Sequence, residues 1–81
     1  MRAKVYVSLK KTVLDPQGQA IHAALAGLGY GSVSDVRQGK FFELTLSGGL
    51  TREQARAEIE RLARDVLTNP VIEMFSFEIE E

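Results

Sequence analysis

Chemistry at a protein site needs a nucleophile, an acid or base, or a metal, and this 81-residue chain offers few such groups. His22 is the only histidine and there is no cysteine. One isolated histidine does not make a Ser-His-Asp set, and zinc would lack its usual histidine and thiolate ligands. The cluster Gly27-Leu28-Gly29-Tyr30-Gly31 superficially resembles a phosphate-binding loop. It follows a helical pattern instead of opening one, so the amides of a helix N-terminus do not point at it. Gly48-Gly49 does precede a helical pattern, but without a following Gly-Lys-Ser/Thr, and the next charged residue is Arg52. The carboxylates Glu78, Glu80 and Glu81 crowd the C-terminus. If the first and last strands are antiparallel neighbours, Glu78 or Glu80 meets Lys4 in a surface pair. No residue emerges as catalytic, cofactor-binding or metal-ligating.

Composition narrows the class further. Ten basic and eleven acidic residues give a formal charge of -1, which does not suggest an electrostatic nucleic-acid surface. No apolar run is long enough to cross a membrane, and Met1-Arg2-Ala3-Lys4-Val5 enters an alternating pattern without the apolar stretch of an export signal. Together with the absence of cysteine, this leads to the expectation of a cytoplasmic protein. The length predicts one domain over residues 1–81. A domain of this size buries only about 60% of the surface its unfolded chain exposes. Disulfides, metals and partner subunits are the usual remedies; with the first two unavailable, a partner subunit is expected.

The hydropathy pattern sets out the elements that would position any site. Residues 3 to 10 alternate, with Ala3, Val5, Val7 and Leu9 on one side and Lys4, Tyr6, Ser8 and Lys10 on the other. Asp15 is an N-cap and Pro16 a first helical residue. Ile21, Ala24, Leu25 and Leu28 then recur at helical spacing up to Gly29, giving a helix over about 16–28. Val33 to Ser47 reads as a hairpin turning at Gln38-Gly39. Thr51 and Gln54 match a capping box, followed by the stripe Ala55, Ile59, Leu62, Ala63, Val66 and Leu67. Glu60–Arg64 and Arg61–Asp65 pair on the wet face of that helix. Asn69-Pro70 ends it, and Val71 to Glu80 is a last strand.

The order β-α-β-β-α-β predicts an α+β, ferredoxin-like sandwich: a four-stranded antiparallel sheet with two helices on one face. The covered side takes Val5, Val7, Leu9, Leu44, Leu46, Phe75, Phe77 and Ile79. The open side takes Tyr6, Phe41, Ile72 and Met74 among polar neighbours, an apolar patch suited to contact with another chain. RNA-binding domains of this fold display aromatics on the third strand, but here only Phe41 reaches the open face, beside Tyr6, on a net-acidic chain. An amino-acid-sensing ACT-like regulatory domain shares the element order; saturable stabilisation by an amino acid is its signature. An acylphosphatase-like enzyme needs an anion-cradling loop after the first strand, where Lys11-Thr12-Val13-Leu14 has neither glycine nor arginine.

Three segments resemble the PurS family, the small subunits of formylglycinamide ribonucleotide amidotransferases. They are Val5-Tyr6-Val7-Ser8-Leu9-Lys10-Lys11 with Val13-Leu14-Asp15-Pro16-Gln17-Gly18, then Asp35-Val36-Arg37-Gln38-Gly39-Lys40 running into Glu43-Leu44, and Asn69-Pro70-Val71-Ile72-Glu73 with a Phe77-Glu78-Ile79 ending. With the helices between them, the resemblance covers nearly the whole chain. It implies a part in phosphoribosylformylglycinamidine (FGAM) synthase, a ligase of purine biosynthesis. There a PurL-type synthetase subunit, with ATP and magnesium, takes ammonia that a PurQ-type glutaminase subunit releases from glutamine. Small subunits of this kind are without catalytic residues or cofactors of their own; they self-associate, hold the other two subunits together and aid ammonia transfer. The resemblance extends to the N-terminal part of the single-chain form of the enzyme. The candidate partner contacts are Tyr6, Lys10, Lys11, Gln17, Arg37, Lys40, Phe41, Asn69, Ile72 and Met74. The open sheet face or an edge strand is expected to build a homodimer, with the basic loop residues docking the large subunit.

Overall fold

The computed structural model describes residues 1–80. Three strands, β1 (Arg2–Leu9), β2 (Gly39–Thr45) and β3 (Glu73–Glu80), form one antiparallel sheet in the order β2-β1-β3. Two helices, α1 (Pro16–Gly27) and α2 (Arg52–Leu62), lie between the strands in sequence. The alternation of β1 sets the register. Val5 sits opposite Phe42 and Phe77, and Tyr6 opposite Phe41 and Ser76, so each face is apolar or mixed as its parity dictates. A small core results: Ala3, Val5 and Val7 of β1 pack on Ile59 and Ala63, with Phe42, Leu44, Leu46, Phe75, Phe77 and Ile79 around them.

α2 is closed by sequence chemistry at its N-terminus. The Thr51 hydroxyl accepts from the Gln54 amide (3.1 Å) and the Gln54 side chain accepts from the Thr51 amide (2.9 Å), satisfying two of the amides a helix start leaves orphaned. Beyond Leu62 the helix widens into a π-helical turn over Ala63–Leu67. The Thr68 hydroxyl, buried at its end, donates to the Ala63 carbonyl at 2.9 Å. The widened turn shifts the helical register, so Ala55, Ile59 and Ala63 are buried while Val66, expected on the same stripe, is 76% exposed.

Three expectations are corrected. The sheet has three strands among the described residues, not four, because residues 32–38 do not pair with it. Val33 and Val36 are apolar, but this segment bonds to side chains instead of a ladder: the Val33 carbonyl accepts from His22 and the Gln38 amide donates to Asp15. Nor do both helices cover the sheet. α1 contributes nothing to the core and buries only Gly18; Ile21 is 41% exposed and Leu28 74%. The last strand is also shorter than expected, since Val71 and Ile72 belong to the turn held by Asn69.

α1 and its return segment therefore form an arm. The arm ends in a Schellman turn: Tyr30 N–H bonds Leu25 O (2.9 Å), Gly29 N–H bonds Ala26 O (3.2 Å), and Gly29 takes the left-handed φ of 97° that glycine tolerates. Its base is a latch. Asp15 accepts from the Gly18 amide (3.0 Å) and from the Gln38 amide (2.7 Å), while Arg37 donates to the carbonyls of Lys10 and Val13, both at 2.9 Å. A Cβ at Gly18 would stand 2.4 Å from the Val36 carbonyl oxygen, so only glycine lets the two limbs of the arm meet. The molecule is consequently long, 51 × 26 × 14 Å, with a radius of gyration of 16.2 Å, against about 12 Å for a compact chain of this length.

Candidate functional site: subunit-contact surfaces

Two regions collect the residues singled out in the sequence. The first is the open face of the sheet. β1 and β2 place Tyr6 and Phe41 directly opposite, with ring centroids 5.2 Å apart, within the range of a favourable aromatic pair. Met74 of β3 sits opposite Ser8, and Ile72 precedes β3, its carbonyl accepting from the Lys10 amide at 2.8 Å. All four side chains are between 39% and 48% exposed. Charged residues flank this patch: Lys4 stands opposite Glu43 and Glu78, and its ammonium is 3.0 Å from Glu80. The hydrogen bond and charge of Glu80 hold Lys4 above its usual pKa, and Lys4 holds Glu80 below its own. The carboxylate cluster read at the C-terminus is thus in part a cross-strand pair; Glu81 lies outside the described residues.

The second region is the base of the arm. A cleft of about 240 Å³ opens there, with Asp15, Gln17, Gln38, Lys40 and Glu73 on its walls. Gln38 Nε2 donates to Gln17 Oε1 at 2.8 Å, and Lys40 is 3.5 Å from Glu73. Asp15 is buried, and its carboxyl is held below the usual range first by the Gln38 amide and then by the Gly18 amide. Gln17 and Lys40 line this cleft, Arg37 and Lys11 line a separate hollow with Asp35, and Lys10 is joined to Arg37 through its carbonyl, whereas Asn69 organises the turn into β3: its amide bonds Glu73 and its side-chain oxygen accepts from Val71. Arg37 is engaged within the chain, an assignment invisible in the sequence because the carbonyls it grips lie 24 and 27 residues away. His22 is half-buried, its Nε2 donating to the Val33 carbonyl at 2.9 Å, which gives the ring a structural place in the arm. Among the described residues no three His, Cys, Asp or Glu gather as a metal site, and no helix is long and apolar enough to cross a membrane.

A small three-stranded α+β module whose distinctive features are an aromatic sheet face and a latched, uncovered arm is a protein of surfaces and contacts. Comparison with known proteins gives it a family. The family described as PurS: phosphoribosylformylglycinamidine (FGAM) synthase matches residues 2–81, and the chain belongs to it. It is 43% identical to the PurS subunit of Bacillus subtilis (strain 168), with 99% of this chain and 93% of that protein aligned. It is 47% identical to the Mycobacterium leprae PurS subunit over 72 residues, covering 89% of this chain and 86% of that protein. A B. subtilis PurS crystal structure superposes with a TM-score of 0.85 at 42% identity, covering 99% of this chain and 98% of that one. A chain in the structure of PurLQS from Thermotoga maritima superposes with a TM-score of 0.86 at 25% identity, covering 95% and 93%.

Proposed function

We propose that this chain is the non-catalytic assembly subunit of a glutamine- and ATP-dependent FGAM synthase in cytoplasmic purine biosynthesis. It holds a PurL-type synthetase subunit and a PurQ-type glutaminase subunit together and brings the ammonia source to the synthetase, where ATP and magnesium are bound. The observation that carries this reading is the likeness, over nearly the whole chain, to a protein that occurs within a PurLQS structure. The molecule's own features support it: an exposed Tyr6–Phe41 pair with Met74 and Ile72 beside it on the open sheet face.

The subunit also self-associates. Its accessible surface is 5852 Å² for a 9.0 kDa chain, whereas a compact monomer of that mass exposes about 4,900 Å². Mixing the chain with its synthetase and glutaminase counterparts and measuring mass in solution tests the assembly role. A three-component species that disappears when this chain is left out is the expected result. A synthetase–glutaminase complex of unchanged amount and mass in its absence would overturn it.

A further inference from the structure

We propose that the cleft at the base of the arm binds a free α-amino acid with an uncharged polar side chain, glutamine being the member that matches it best. This goes beyond the assembly role and does not depend on it. The walls come from every part of the fold that meets there: Gln17 from the first turn of α1, Gln38 and Lys40 from the entry to β2, Glu73 from the start of β3, and Val7 and Leu9 from the end of β1. The ladder fixes which side they share. Lys40 stands opposite Val7 and Glu73 opposite Leu9, so a cation and a carboxylate rise from the same sheet face as an apolar floor. The volume, about 240 Å³, lies below the roughly 300–1,000 Å³ of sites for drug-sized ligands and suits an amino acid.

Charge selects the class of ligand. Lys40 and Glu73 oppose each other at 3.5 Å, longer than the roughly 2.7–2.9 Å of a charge-assisted hydrogen bond. The Lys40 side chain is 52% exposed, that of Glu73 only 14%. Such a loose, half-wet pair costs little to open. The mostly buried carboxylate still requires a cation beside it; an α-ammonium supplies one, while the α-carboxylate of the same molecule takes over Lys40. Asp15 adds a second negative charge to the wall, with its oxygens held by the Gly18 and Gln38 amides. One cation against two carboxylates admits a zwitterion and repels phosphates and dicarboxylates. The rest of the polar wall is amide. Gln38 Nε2 donates to Gln17 Oε1 at 2.8 Å, so the Gln17 amino group and the Gln38 side-chain oxygen can serve a ligand. A side-chain amide, donor and acceptor at once, complements that pair of groups. A molecule bound there ties the first turn of α1 to all three strands and stiffens the arm at its base.

The test uses the full chain without other subunits, so that no glutaminase supplies the response. L-glutamine and L-asparagine should raise its Tm along a saturating curve, L-glutamate far less, and inorganic phosphate not at all. Hydrogen exchange at the Gly18 and Gln38 amides should slow in L-glutamine. Lys40→Gln, at a half-exposed position, should fold as the parent does and raise the dissociation constant for L-glutamine at least about tenfold, through loss of a charged hydrogen bond. Gln17→Ala should erase the preference for L-glutamine over L-alanine. No saturating response to L-glutamine or L-asparagine, or an equal response in the parent and Lys40→Gln proteins, overturns the site. A response to phosphate equal to that for L-glutamine makes the cleft an anion site and overturns the proposal as well. None of these outcomes touches the assembly role, which the mixing experiment decides separately.

Discussion

Asp15 shows how one side chain can set the course of the chain. Its two oxygens tie the start of α1 to the end of the return segment, and burial leaves it no competing water. Because its folded pKa lies below the ordinary value of 3.8, its contribution is fully present above that pH and is lost as pH falls through the folded value. Asp15→Asn keeps one strong acceptor and no charge. We expect a lower Tm than the parent at pH 7, with the gap closing as pH drops below 3.8; an equal gap at pH 7 and pH 3 would mean that the ionised carboxylate does not stabilise the latch. At this scale much was legible in the sequence. The cap, Pro16, and the parity of Tyr6, Phe41 and Met74 followed from local rules. The partners of Arg37, Gln17 and Gln38 did not, because they depend on where the chain turns back.

Elements were legible to the extent that their stability is local. The alternation of β1 and β2 and the capping box of α2 encode themselves within a few residues. Thr51→Ala should cost about 1 kcal/mol in urea unfolding, with most of the loss in α2; an unchanged midpoint would mean the box contributes nothing. Two element-level expectations failed for one reason. An apolar helix and a segment with apolar Val33 and Val36 each announce that they will be buried, but not against which surface. The element order assigns α1 to its own sheet, and the apolar pattern with the turn at Gln38-Gly39 assigns Val33 to Ser47 to a hairpin. The uncharged stretch from Pro16 to Ser34 was present in the sequence and is the signal that distinguishes α1 from α2.

For the whole molecule, the shape carries the meaning. An 81-residue chain 51 Å long has relinquished part of its own core, which is sensible for a protein that works only within an assembly. The most direct measurement is glutamine-dependent FGAM synthesis by the synthetase and glutaminase subunits with and without this chain, with ammonia-dependent synthesis run beside it. The account predicts that glutamine-dependent activity needs the chain, that ammonia-dependent activity needs it far less, and that the chain alone does nothing. Equal glutamine-dependent rates in its presence and absence would contradict the assembly role.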